Sequence, residues 1–488
     1  MDFLPISRRR ARARAADRSG VALCAAALLV SAAPATAQRN LSPQVRAFVR
    51  TDAPVIALTN TRVVDGRGGP ARENQTIVLR DGNIAYVGAA AGAPLAGAEI
   101  IDLAGRSVLP GFVMLHEHMF YPAGNAMYNE LGFSFPRLYL AGGATTIRTG
   151  GSMVPYADLN LKRSIDAGAV PGPKMHVTAP YLNGPGLNIP AVKALRGPDD
   201  ARRMVSFWAE EGFTSFKAYM HISREELRVA IEEAHRRGLK VTGHLCSVTY
   251  REAAGLGIDN LEHGFFASTD FVPAKEPDRC PGGANASLTD LDAAGEPAQR
   301  LIRELVSARV AITSTLTVFE TSVPGRPRAP DRALDAMVPE VRDLYLRQFS
   351  RVSTDTATAA VRRLRRMMDM EVAFLRAGGL LVAGTDPTGY GGVVAGFANQ
   401  RAVELLVEAG LSPAEAIRVA TLNGAIHLGV QDRVGSVEPG KAGDLIVVRG
   451  NPAVRIADIG NVEIVFKDGV AYDPERLYQA VRGSVGLR

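Results

Sequence analysis

Apolar and polar positions follow two rhythms along this chain. Between residues 53 and 110 the apolar runs are short: Val55-Ile56-Ala57-Leu58, Thr76-Ile77-Val78-Leu79 and Ile84-Ala85-Tyr86-Val87. Arg80-Asp81-Gly82-Asn83 separates the last two, and an Asp-Gly pair between such runs predicts a tight hairpin. The same rhythm returns in Asp444-Leu445-Ile446-Val447-Val448 and Val462-Glu463-Ile464-Val465-Phe466, followed by a turn at Lys467-Asp468-Gly469. Strand sets at opposite ends predict one small β-sandwich domain built from residues 53–110 and 430–475.

The middle, residues 111–429, alternates apolar runs with amphipathic helical patterns, the signature of parallel βα units. Strands are expected over 112–116, 145–149, 175–180, 213–218, 240–244, 259–263, 310–314 and 380–385, with helices at 224–237 and 414–428 among those between and after them. Eight such strands predict an α/β fold, a (β/α)8 TIM barrel. Two long connections, 264–297 and 315–360, are candidates for lids or pocket walls.

Candidate chemistry concentrates at the strand ends. The run Val108-Leu109-Pro110-Gly111-Phe112-Val113-Met114-Leu115 climbs out of a Pro-Gly turn into His116-Glu117-His118. Residues i and i+2 of a strand share a side, so His116 and His118 can aim two imidazoles at one point. That pattern suits a metal site. Lys217 ends the fourth expected strand, His244 the fifth, His263 the sixth and Asp386 the eighth. All would share the C-terminal mouth of the barrel, where barrel active sites lie. Of eight histidines in the chain, four fall at these ends. One alone would read as packing; four converging with a lysine and an aspartate do not. His176 falls on the third strand, and His235 and His427 read as structural.

Charge adds less than its total suggests. The net charge is +6, but residues 1–37 hold six arginines and two aspartates, leaving 6 − 4 = +2 for the remainder. With neither a basic stripe nor aromatic-interleaved basic patches, nucleic-acid binding is not expected. Arginines 8, 9, 10, 12, 14 and 18, the apolar stretch Val21–Ala33 and Ala35-Thr36-Ala37 resemble an export signal cleaved before Gln38, by the general or the twin-arginine route. The stretch is short for a membrane span, so the mature chain is expected to be periplasmic or secreted, without a membrane anchor. Two cysteines then remain, Cys246 and Cys280; they either pair or stand as a buried and an exposed thiol.

With these pieces in order, the chain resembles the metal-dependent amidohydrolase superfamily, in its prolidase-like and imidazolonepropionase-related branch. The resemblance rests on Pro110-Gly111 with His-x-His, Gly142-Gly143-Ala144-Thr145-Thr146, Ala169-Val170-Pro171-Gly172-Pro173, Glu262-His263-Gly264, Gly384-Thr385-Asp386 and the closing Gly435 to Leu445 segment. It implies a centre of two divalent metal ions, most often zinc. His116, His118 and Asp386 would hold one, His244 and His263 the other, and Lys217 would bridge them as a carboxylated lysine. It also implies that Asp386 works as general base and then general acid.

The chain departs from that pattern in two places. Met114 stands where relatives often carry an aspartate, and no Gly-Gly-His follows the third strand. Tyr219 and His221, in Lys217-Ala218-Tyr219-Met220-His221, are candidates for the missing polarising group. Arg148, Tyr181 and Tyr390 are further candidates for substrate contacts. The expected reaction is hydrolysis of an amide bond in a small molecule: a dipeptide, an Xaa-Pro-like peptide or an N-acyl amino acid. The alternatives are a cyclic-amide hydrolase or deaminase, a lactonase of the same superfamily, and a degenerate barrel that only binds. A homo-oligomer is compatible with each.

Overall fold

A computed structural model describes residues 40–124 and 127–486. The expected export signal lies outside the described residues.

Eight parallel strands run through the middle of the chain: β1 (Phe112–Glu117), β2 (Ala144–Thr149), β3 (Lys174–His176), β4 (Ser215–Ala218), β5 (Lys240–Gly243), β6 (Asn260–Glu262), β7 (Ala311–Ser314) and β8 (Leu381–Ala383). They form two sheets, β3-β2-β1 and β4-β5-β6-β7-β8. Single parallel bridges, Thr178 to Ser215 and Leu182 to Ala218, join the chain after β3 to β4. On the opposite edge, the amides of Thr385 and Asp386 donate to the His116 carbonyl at 3.1 and 2.9 Å. The backbone after β8 is thereby tied to the end of β1. Every residue of β1 and β2 is buried, as expected for parallel strands covered on both faces.

A second, nine-stranded sheet takes six strands from the N-terminal side and three from the C-terminal side. The two sets meet where Leu445–Arg449 runs antiparallel to Arg106–Pro110, with Ile446 opposite Leu109. Its expected hairpins are present: Asp81-Gly82 and Asp468-Gly469 both have positive φ at both residues, the demand of a type I′ turn. Ile56 and Leu58 pack into one apolar cluster with Val108, Val447 and Phe466. Val55 and Ala57 point the other way into a smaller one with Val78. The sheet thus has apolar packing of its own. It hands the chain to β1 through Gly111, where an added Cβ would lie 2.1 Å from the Thr145 hydroxyl.

Two expectations need correction. Residues 315–360 are no open loop: they fold into helices Leu316–Glu320, Asp331–Ala336 and Pro339–Ser353 and begin a fourth, Ala359–Arg376. The expected helix over 414–428 is two, Pro413–Val419 and Leu422–Leu428. The break falls at Ala420-Thr421, where Thr421 leaves helical geometry at φ −131°, ψ −87°. The 264–297 connection keeps one short helix, Ala284–Thr289. It is tied down by a Cys246–Cys280 disulfide with a Cα–Cα distance of 4.8 Å.

Candidate metal centre

The end of β1 sets the geometry. His116 and His118 emerge on one side, and Asp386 comes to meet them from beyond β8. Asp386 Oδ1 lies 3.3 Å from His118 Nε2 and 3.7 Å from His116 Nε2. Ligand atoms of the three residues fall within 4.8 Å of one another, close enough to share one ion. Space for the His116 ring comes from two glycines. A Cβ on Gly384 would sit 2.4 Å from His116 Cβ, and one on Gly150 2.5 Å from the ring. Asp386 itself has φ 55° and His263 φ 71°. Such backbone costs of order 1–3 kcal/mol for a residue with a side chain, and it gathers at functional sites.

The second half of the cluster adjoins the first. Ring centroids of His116 and His263 are 4.6 Å apart, and those of His263 and His244 4.3 Å. His263 Nδ1 lies 3.7 Å from the other Asp386 oxygen. Lys217 enters from β4, and its ammonium is 3.9 Å from Glu262 Oε1 with no hydrogen-bond partner. All six residues expected as ligands therefore converge at one mouth.

Glu262 and neighbouring backbone orient these donors. Glu262 Oε2 holds His116 Nδ1 at 2.7 Å. A carboxylate can only accept, so the proton sits on Nδ1 and the Nε2 lone pair is offered to the site. The Gly151 carbonyl does the same for His118 at 3.2 Å, and the Thr315 hydroxyl contacts His263 Nδ1 at 2.9 Å. Glu262 also accepts from Thr242 and, at 2.5 Å, from Arg148. Burial alone would raise its carboxyl, but the charges of Arg148 and Lys217 hold it well below the usual range.

The donor set suits cations. Burial, reinforced by the Lys217 charge, lowers His116 to about 4 and His244 to about 3, so both are neutral ligands near pH 7. Burial alone would raise the Asp386 carboxyl, but the adjoining imidazoles of His116, His118 and His263 hold it well below the usual range. Burial also lowers Lys217 to about 8. An orphaned buried amine beside neutral imidazoles and a carboxylate is what a metal-bridging modified lysine would require.

Glu117, between the two histidines, points to the opposite side. It accepts from Thr385 and, at 3.0 Å, from Asn399, and burial raises it to about 8. It thereby links the strand bearing the histidines to the segment bearing Asp386. Glu117, Glu262 and Thr315 were not singled out from the sequence. Alternation on β6 gives a signal for Glu262: Asn260 and Glu262 share a side while Leu261 faces the apolar core.

Expected substrate contacts divide. Tyr219 stands at the mouth, its ring 5.0 Å from His244 and 4.8 Å from Tyr181. Phe120 stacks on His118 at 4.2 Å, and Tyr128 meets Phe120 at 5.3 Å. These rings give the mouth an aromatic wall. His221 is half-buried beside Gly186, with its amide on Asn183. Tyr390 donates its hydroxyl to the Thr321 carbonyl and stacks on Tyr345. Arg148 lies beneath the centre: it is 2% exposed, with its two terminal nitrogens on Asn260 and Glu262. It has no free fork for a substrate carboxylate. A cleft of about 890 Å³ elsewhere touches none of the six ligands. Two of its arginines are spent on acids, Arg326 on Glu408 and Arg332 on Glu475.

The chain belongs to the amidohydrolase family, whose sequence pattern it matches over residues 107–471. The family is generally metal-dependent, with an α/β fold of TIM-barrel type. Among solved structures, it resembles a protein of Bifidobacterium longum assigned as a prolidase, at 26% identity and a TM-score of 0.65. That likeness covers 86% of this chain and 95% of the other. A Xaa-Pro dipeptidase with methionine in its active site shares the fold, at 19% identity, a TM-score of 0.65, and 86% and 100% coverage. Curated relatives match over short segments. Adenine deaminase 2 of Jannaschia sp. is 36% identical over 78 residues, 16% of this chain and 12% of that protein. Imidazolonepropionase of Mycolicibacterium smegmatis is 35% identical over 92 residues, 19% and 23% of the two chains. The match spans under a quarter of either relative.

Proposed function

We propose that the chain hydrolyses the amide bond of a dipeptide, an Xaa-Pro-like peptide or an N-acyl amino acid, using two divalent metal ions, zinc in the first instance. One observation carries the reading: Lys217 is buried, without a hydrogen-bond partner, and lowered to about 8. Single-metal cyclic-amide hydrolases and deaminases have no use for such an amine. As a neutral amine it could add carbon dioxide at its nitrogen, release a proton to solvent and become an anionic carbamate with two oxygens to offer. His116, His118 and Asp386 would then hold one ion and His244 and His263 the other. The bound ions would supply electrophilic stabilisation of the carbonyl and a more acidic water.

The remaining steps belong to the chain itself. Asp386 takes a proton from the attacking water on a carboxylate oxygen and delivers it to the departing nitrogen, which leaves poorly unless protonated. Thr388 donates to Asp386 Oδ1 at 2.9 Å and steadies that carboxylate. Phe120, Tyr128, Tyr181 and Tyr219 form an apolar wall that excludes water, and the Tyr219 phenol, kept protonated by burial, can donate to a substrate oxygen. In this reading the eight parallel strands close as one (β/α)8 barrel, with the two-ended sheet as a separate small domain. The chain acts after export from the cytoplasm.

The test is a mass-spectrometric hydrolysis screen of zinc-loaded protein against dipeptides and N-acyl amino acids, with metal counting and Lys217→Ala as control. Cleavage lost in the control, with two ions per wild-type chain, is the expected result. One ion per chain, or turnover of lactones and cyclic amides alone, would reject it.

A further inference from the structure

Two loops flank the second half of the metal centre, and one covalent bond joins them. The segment after β5 follows His244 and carries Cys246; the segment after β6 follows His263 and carries Cys280. The Cys246–Cys280 disulfide spans 34 positions and links the two beyond the strand ends that bear these histidines. Phe271 still packs on the barrel core, and the helix Ala284–Thr289, with Leu288 buried, resumes that packing. Between them, from 272 to 283, no residue is buried. This stretch is a strap with no apolar core of its own.

Besides the disulfide, polar side chains tie the strap to the barrel at two places. Lys275 donates to the Ser247 carbonyl at 2.5 Å. Asp278 accepts from the Arg224 guanidinium and, at 2.7 Å, from the Arg224 amide. Both side chains of that ion pair are exposed, and exposed pairs contribute little. Ala274 and Asp278 hold left-handed backbone, at φ 50° and 59°, a conformation that persists where the surroundings fix it. The histidines at the strand ends are anchored independently of the strap. The His244 amide donates to the Ala218 carbonyl at 3.0 Å, the Ser247 amide to the Met220 carbonyl at 2.9 Å, and the Gly264 amide to the Thr313 carbonyl at 2.8 Å. The Thr269 hydroxyl reaches the Cys246 carbonyl at 3.1 Å. Opening the bridge therefore releases the strap and leaves His244 and His263 in place.

We propose that the Cys246–Cys280 disulfide is a redox latch: closed, it pins residues 272–283 beside the mouth of the metal centre, and opened by a dithiol, it frees them as a mobile lid. Cys280 is half-buried on an otherwise exposed stretch, whereas Cys246 is 8% exposed, so the reductant meets Cys280 first. One thiolate of the dithiol bonds to the Cys280 sulfur, and the Cys246 sulfur leaves as a thiolate and takes up a proton. The second thiol of the reductant then displaces Cys280, giving a cyclic disulfide of the reductant and two protein thiols. Two electrons and two protons pass from the dithiol to the protein. The latch is independent of the amide-hydrolysis reading, because neither cysteine is among the six ligands.

The test uses the full metal-loaded protein, dithiothreitol as the reductant and no substrate. Mass spectrometry after iodoacetamide capping should show two new thiols in the folded protein. Trypsin cleavage after Lys275 and Arg279 and hydrogen exchange over 272–283 should then quicken, while exchange over β5 and β6 stays as in the oxidised protein. Cys280→Ser should match the reduced protein in exchange and ignore dithiothreitol; if it fails to fold, Cys246→Ser carries the test. Metal is followed in the variant without reductant, because dithiothreitol itself binds zinc. The variant should hold as much metal as wild type and lose it faster to EDTA, because its mouth is less covered. A bridge that resists dithiothreitol in the folded protein, unchanged exchange over 272–283, or unchanged metal extraction would each overturn the latch. Loss of protection across β5 and β6, or of bound metal in the variant, would overturn it as well, because the bridge would then be a structural staple.

Discussion

The two ends of the same eight strands carry opposite electrostatics. At the C-terminal ends, two ionised carboxylates, Asp386 and Glu262, sit among the neutral imidazoles of His116, His244 and His263, and the one amine there has no hydrogen-bond partner. At the N-terminal ends, Arg148 and Lys240 face a pit without a carboxylate. The boundary is one buried contact, Arg148 to Glu262 at 2.5 Å. One end gathers donors that suit cations, and the other presents positive charge with no acid among the residues lining its pit. Placing a charge-balanced pair between them lets each end keep its own field, because Glu262 is neutralised from below while it orients His116 above.

The strongest test of the upper end removes its proton carrier. Asp386→Asn keeps a ligating oxygen but cannot take a proton. We expect turnover to fall roughly 1,000-fold, within the range for loss of a general acid–base, while most of the metal stays bound. Steady-state kinetics with metal analysis on one preparation checks it. Turnover within tenfold of wild type would remove Asp386 from this role.

The boundary itself comes next. Arg148→Met leaves Glu262 buried and uncompensated, and breaking such a pair costs about 3–5 kcal/mol. We expect chemical denaturation to show a loss of that size. We also expect metal affinity to fall, by about 10–100-fold, because Glu262 supports a ligand from the second layer. A stability loss with unchanged metal affinity would show that the two ends are not coupled through this contact.

How much of this was legible beforehand differs by element. The meeting of His116, His118 and Asp386 was, because each stands at the end of an apolar run and a strand's period of two leaves little freedom in where His116 and His118 point. The Asp81-Gly82 and Asp468-Gly469 turns were, because type I′ geometry selects those residues. The helices within 315–360 were not: Pro327, Pro330 and Pro339 break the pattern into segments of 5, 6 and 15 residues, too short or too mixed to show a helical period. Arg148 was misplaced for another reason. An arginine near a strand end reads as a substrate clamp, and only the fold reveals Glu262, 114 positions later, bonded to it. Buried charge pairs between distant strands leave no local trace.

The smallest expected effect tests the charge count at the upper end. Glu371 is fully buried, and it presses against Gly264, where a Cβ would lie 2.1 Å from Oε1. Burial raises it to about 8, so near neutral pH it is mostly protonated and adds no third anion behind His263. Because the folded value lies above the unfolded one, its contribution to stability is fullest below the ordinary carboxyl range. That contribution is lost as pH rises through about 8. Glu371→Gln cannot ionise and should escape the penalty. It is expected to match wild type near pH 4.5 and to exceed it near pH 7 by on the order of 3 kcal/mol. Paired denaturation curves across that range check it. A constant difference between the two proteins at every pH would mean that Glu371 is already ionised in the fold, and the upper end would then hold three carboxylate charges rather than two.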